Sequence, residues 1–236
     1  MLAERSDLDA LREQFHRHGR VRVHGVLQAG FARELEAALQ QWTQWNVVTR
    51  ISGQHRAFEL EAFAGLPEAV RQELTRAVHA EARQGFQYFY ERYPLHEASA
   101  RAALDSELLR ELDALLRSAR FLQLLRDISG RRDIDFVDSQ LTRYRPGHFL
   151  TAHDDHAEGQ GRIAAYVLSL TPAWSVDYGG LLQFIDAEGH VEQAWTPGFN
   201  TLSLFRVPCA HAVSAVAPFA PRARHSVTGW ARAESV

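Results

Sequence analysis

The apolar positions of this chain follow two different periods, and the change falls near residue 133. In the first half they recur every three to four residues, the spacing that puts them on one face of an α-helix. Residues 29–42 place Phe31, Leu35, Leu39 and Trp42 on one such stripe. Pro67 suits a first helical turn, where its missing N–H costs nothing. Val70, Leu74, Ala77 and Val78 follow on one face, and the apolar stripe of the helix-rich residues 67–128 has core, or else a dimer face, as its default meaning. The runs SELLRELDALL and SARFLQLLRDISG predict two more helices, the second capped by Ser118 and stopped by Gly130. One short run from Arg20, RVRVHGVL, has the alternation of a strand.

From Asp133 onward the pattern is that of short strands. The candidates are residues 135–144, 149–153, 162–171, 181–186, 191–195, 201–206, 211–217 and 224–231, rich in Val, Leu, Ile and Phe. Turn signals separate them, among them Pro146-Gly147, Gly179-Gly180 and Pro197-Gly198. About eight strands at this spacing predict a jelly roll, a cupin-like double-stranded β-helix whose two sheets enclose a cavity. No repeat or low-complexity linker divides the chain. The expectation is therefore an α+β fold in a single domain, residues 1–236. Residues 1–132 would be a mainly helical part packed on one sheet, and 133–236 the jelly-roll core.

Composition narrows the function classes. The formal net charge of −3 gives no electrostatic case for nucleic-acid binding. The 26 basic residues are all arginine. The one cysteine, Cys209, excludes an internal disulfide and reads as a small packing residue. No apolar run approaches the length of a membrane span. The opening MLAERSDLDALREQF lacks the apolar core of a signal peptide. The expectation is a cytoplasmic protein without a membrane partner.

The chemistry sits in the last third. If the segment after Thr151 is extended, His153 and Asp155 share one side and Asp154 and His156 the other, because strand residues alternate. That parity selects Asp155 as the carboxylate. Each of these residues alone is more often an ordinary surface or core side chain than a ligand. Together with His211, which a jelly roll can return beside the first pair, they make two imidazoles and one carboxylate. That is the set that holds non-haem Fe(II) and leaves coordination positions open. Arg224, one hairpin further on, is costly inside a barrel unless it meets an anion, and its planar fork suits a carboxylate. Ser226 shares its parity; Arg222 and Arg232 are the neighbouring alternatives. Two other readings compete: a non-catalytic jelly-roll metal-binding module, and a two-His-one-carboxylate zinc hydrolase. The latter leaves Arg224 unexplained and lacks an HExxH helix.

Over roughly residues 120–232 the sequence resembles the Fe(II)- and 2-oxoglutarate-dependent dioxygenases of the prolyl 4-hydroxylase-like branch. The resemblance is carried in order by YRPGHFLTAHDD, RIAAYVLSLTPAW, YGGLLQF, PGFNTLSLF, HAVSAV and RHSVTGW. It implies iron held by His153, Asp155 and His211. It implies 2-oxoglutarate held by Arg224, with Ser226 and Tyr144 as further members of that pocket. Ser169 departs from the pattern, since relatives often have a tyrosine there that assists the arginine. The implied reaction takes O2 and 2-oxoglutarate, releases succinate and CO2 and hydroxylates a C–H, with ascorbate in support. The branch points to a prolyl residue of a protein or peptide, such as a ribosomal or translation-factor protein; a free amino acid or other small molecule is the alternative substrate. Trp42, Trp45, Asn46 and the run RISGQHRAF would form a lid or substrate edge, or else an ordinary connection.

Overall fold

The computed structural model describes residues 1–100 and 104–233. The chain opens with α1 (Leu8–His18), β1 (Arg20–His24) and α2 (Ala29–Gln41). A hairpin of β2 (Asn46–Ile51) and β3 (Gln54–Glu59) leads into α3 (Leu60–Ala64) and α4 (Glu68–Ala82). Then come β4 (Tyr88–Tyr93), α5 (Leu95–Ala100), α6 (Glu107–Leu116) and α7 (Ala119–Ser129). The remainder is β5 (Phe136–Val137), β6 (Gln140–Tyr144), β7 (Phe149–His153), β8 (Arg162–Leu170), β9 (Leu182–Ile185), β10 (Val191–Trp195), β11 (Phe199–Arg206), β12 (His211–Val213) and β13 (Arg224–Arg232).

The strands form one curled antiparallel sheet in the order β1-β11-β8-β13-β6-β4-β7-β12-β9-β10. Strand β4 bonds to both β6 and β7, so the larger half (β1 to β6) continues into the smaller half (β7 to β10) across it. This is the expected α+β double-stranded β-helix. The outer face of the larger half is apolar: Val21, Val23, Leu141, Leu168, Leu202, Leu204 and Val227 pack there against α1, α2, α6 and α7 in one buried cluster. Leu35, Leu39, Leu112, Leu116 and Leu125 are the helical side of that contact. Ser118 accepts from the Phe121 N–H and caps α7, and Gly130 ends it at φ +73°.

Several expectations are corrected. The described residues of the first 132 hold four strands as well as helices, because the 46–59 run is a hairpin and YFYERY is the interior strand β4. The candidate 135–144 is broken between β5 and β6, and 211–217 shrinks to three residues. Helix α4 buries only Val78, and Val70 is exposed, so its stripe is not core. It flanks the β2–β3 hairpin instead of joining the helices on the large sheet. Trp45 is not a lid residue: it is buried, with the Arg143 guanidinium 4.8 Å over its ring.

Candidate metal centre

Strands β7 and β12 are antiparallel neighbours, and His211 stands directly opposite His153 in their register. The intervening strands return the chain to the place it left. Each imidazole is oriented through Nδ1 by a backbone carbonyl: His153 by Thr151 O at 3.0 Å, His211 by Cys209 O at 2.7 Å. A proton held on Nδ1 leaves Nε2 as the free lone pair, the tautomer a metal ligand needs. His211 is sealed by Phe205, whose ring lies 4.7 Å away, and burial is the main reason its pKa falls to about 4. It is neutral, and able to ligate, at any ordinary pH.

Asp155 completes the set, but not by strand parity. Strand β7 ends at His153, and Asp155 has a φ of +62°, in the left-handed region. The turn out of the strand aims its carboxylate between the rings. Oδ1 lies 3.4 Å from His153 Nε2, and Oδ2 lies 3.5 Å from His211 Nε2. The three donor atoms all fall within 4.8 Å of one another. Asp154 points elsewhere: its Oδ1 accepts from the His156 N–H and its carbonyl from the Cys209 N–H. Two neutral imidazole nitrogens and one carboxylate at this spacing fit a single divalent ion with one side left open.

Arg162 secures the turn. Its Nη1 donates to the Asp155 carbonyl at 3.0 Å, and its guanidinium lies 3.7 Å over the Trp230 ring. Neither residue was among the sequence candidates. The available signal was an arginine opening a strand immediately after the EGQG turn that follows the ligand pair.

The same cavity, of about 610 Å³, is lined by the triad, Tyr144 and Arg224. Arg224 is 3% exposed, and its Nε and Nη1 have no hydrogen-bond partner. Its guanidinium stands 5.2 Å over the Tyr144 ring. Ser226 and Ser169 face one another across β13 and β8, both hydroxyls buried and unpartnered. A buried cation beside unpartnered donors is costly unless an anion meets it. The cluster fits the far carboxylate of a dicarboxylic acid. Arg222 reaches only the Pro172 carbonyl, and Arg232 pairs with Asp138, so neither alternative arginine faces the cavity. His55 of the hairpin also lines the cavity, with Phe86, Tyr88 and Tyr90 leading into and along β4. Of the proposed lid segment, it is His55 that reaches the site.

Residues 139–232 match the family model of the 2OG-Fe(II) oxygenase superfamily. The part of the chain that carries the triad and Arg224 is therefore the part similar to that superfamily. The prolyl 3-hydroxylase OGFOD1 of Mus musculus is 32% identical over 117 residues, which are 47% of this chain and 21% of that protein. Its Xenopus laevis counterpart is 33% identical over 117 residues, 47% of this chain and 22% of that protein. The chain thus spans about a fifth of the length of these relatives. Among solved structures, a Pseudomonas putida prolyl-4-hydroxylase superposes with a TM-score of 0.62 at 21% identity, covering 96% of this chain and 98% of that one. A Trichoplax adhaerens prolyl hydroxylase, solved with a hypoxia inducible factor peptide fragment, gives 0.62 at 16% identity, covering 96% and 89%. At these identities the structures speak for the fold.

Proposed function

We infer that this chain, as a 2OG-Fe(II) oxygenase, hydroxylates a prolyl residue of a protein or peptide, consuming O2 and 2-oxoglutarate and releasing succinate and CO2. The observation that carries the reading is the joint geometry: three ligand atoms meet at one point of a cavity that also holds a buried, unpartnered arginine. The substrate class rests on the prolyl hydroxylases among the relatives and structural neighbours.

His153, Asp155 and His211 would hold the iron. Bound iron, with its co-substrate and oxygen, supplies the oxidising power for C–H hydroxylation. The residues of the chain do the rest. Thr151 O and Cys209 O keep the imidazole protons on Nδ1. Arg224 receives the far carboxylate of 2-oxoglutarate, with Ser226 and the Tyr144 wall completing that pocket. Leu182, Phe205 and Val213 give the inner cavity an apolar lining. A non-catalytic module would leave Arg224 buried without purpose.

The test is incubation with Fe(II), 2-oxoglutarate, O2 and proline-containing peptides, ribosomal-protein segments first, followed by mass spectrometry. Succinate together with a proline bearing one added oxygen supports the reading. Succinate with oxygen on a free amino acid and on no peptide would reassign the substrate. Asp155→Ala is expected to abolish succinate formation, while Asp154→Ala retains it; the reverse pattern would reject the ligand assignment.

A further inference from the structure

The cavity wall carries a string of rings that metal and co-substrate binding do not account for. Phe86, Tyr88 and Tyr90 all line the cavity, the last two as alternate residues of β4. The Phe86 ring lies 5.2 Å from the His153 ring and 5.6 Å from Tyr88. Tyr88 lies 5.7 Å from Tyr90, and Tyr90 stacks on Tyr144 at 4.9 Å with 8° between planes. Tyr144 in turn lies under Arg224. The rings run without a gap from a metal ligand to the arginine.

Of the three phenols in the string, Tyr88 is the one bonded to a base. Its hydroxyl is 2.6 Å from Nδ1 of His55, an exposed residue of β3. Tyr90 is half-buried beside Gln140, and Tyr144 is buried beside Arg224; neither neighbour accepts a proton. A phenol that loses an electron becomes strongly acidic. It gives the electron up most easily where a base at hydrogen-bond distance takes the proton in the same step. His55 is kept neutral for that task, since partial burial first, and then Arg92 and Arg56 against Glu97, hold its pKa low. On the phenol side, burial and Tyr90 outweigh Arg50 and Arg92, so Tyr88 stays protonated until it is oxidised.

We propose that Tyr88 and His55 form a redox outlet, which drains an oxygen-derived one-electron oxidant that arises in the cavity with no substrate C–H in reach. One electron passes from Tyr88 to the oxidant, which is reduced by one electron. The phenolic O–H bond breaks and its proton forms an N–H bond at His55 Nδ1. The products are a neutral phenoxyl radical and an imidazolium, and the imidazolium returns a proton to solvent. A one-electron reductant such as ascorbate or a thiol, with a proton, restores the phenol. The outlet spares His153 and His211, and it goes beyond the hydroxylation reading.

Two arms on the full chain test it. In the first, protein with Fe(II) and 2-oxoglutarate meets O2 without substrate, followed by freeze-quench EPR and peptide mass spectrometry. A tyrosyl signal is expected, with oxidation mapped to Tyr88. Tyr88→Phe, which removes only the hydroxyl, should lose it, and His55→Gln should slow its formation by about a hundredfold. In the second, the metal-free protein meets photogenerated ruthenium(III) tris-bipyridyl, and the same Tyr88 share of the signal and the same variant effects are expected. Oxidation found on His153, His211 or Tyr144 with Tyr88 intact would overturn the proposal, as would a His55→Gln rate equal to wild type. If the first arm gives neither succinate nor a tyrosyl signal and the second marks Tyr88, the oxygenase reading fails and the redox pair stands; succinate without a tyrosyl signal would overturn the outlet.

Discussion

Asp155 places its carboxylate from a left-handed backbone conformation, which costs a non-glycine residue on the order of 1–3 kcal/mol. Aspartate tolerates that region better than most residues, and the Arg162 hydrogen bond to its carbonyl holds the turn. Arg162→Ala is therefore expected to weaken metal binding by about 10–100-fold, as loss of a supporting contact to a ligand does. A cobalt(II) titration followed by its visible spectrum measures this, and an affinity within twofold of wild type would deny Arg162 the role. At the cavity floor, Arg224→Ala should raise the 2-oxoglutarate dissociation constant, since truncating one partner of a buried charge pair costs about 2–5 kcal/mol. Calorimetry on the metal-loaded protein gives the number, and an unchanged constant would move the co-substrate elsewhere. The residue types of the site were legible from the sequence because the fold puts rare combinations together. The reason for preferring Asp155 was not: alternation applies inside a strand, and β7 stops at His153.

At the scale of elements, the strands after residue 133 could be read because their turns are marked by glycine and proline. Strand β4 could not. Its apolar pattern is masked by Glu91, which is fully buried, and by Arg92, which lines the cavity. A charged residue in an interior strand contradicts the usual pattern until its partners are known. They lie on the next strand and just past its end: Arg143 pairs with Glu91, and Arg145 reaches it at 2.6 Å. Glu91→Ala leaves Arg143 half-buried without its partner, a change worth about 3–5 kcal/mol. For a chain of this size the melting temperature should fall on the order of 10 °C. A fall of only a degree or two would mean that water already satisfies those charges. The edge strand β3 was likewise misread, because its exposed residues carry no hydrophobic alternation.

At the scale of the molecule, buried histidines set the acid limit, His148 and His225 as well as the ligand His211. Burial, the first cause in each case, lowers His148 and His225 to about 4. Both sit below the ordinary histidine value of about 6.5 that the unfolded chain would have. The unfolded state binds more protons than the native state across that interval, so stability rises with pH. The contribution is complete above about pH 6.5 and is lost as pH falls toward 4, at up to about 1.4 kcal/mol per pH unit for each group. Urea denaturation of metal-free protein across this range checks it, and His225→Gln should flatten the slope. A slope unchanged by the substitution would mean that His225 titrates normally in the native state.

All the chemistry assigned to this cavity rests on one event, the capture of a single Fe(II) by His153, Asp155 and His211 with 2-oxoglutarate anchored on Arg224. The direct measurement is an anaerobic titration of the protein with Fe(II) and 2-oxoglutarate, followed by visible absorption and thermal stability. A weak metal-to-ligand charge-transfer band should appear in the wild type with a rise in melting temperature. Both should be lost in Asp155→Ala, and the band should demand far more 2-oxoglutarate in Arg224→Ala. No band, and a melting temperature that neither ligand moves, would contradict the assignment.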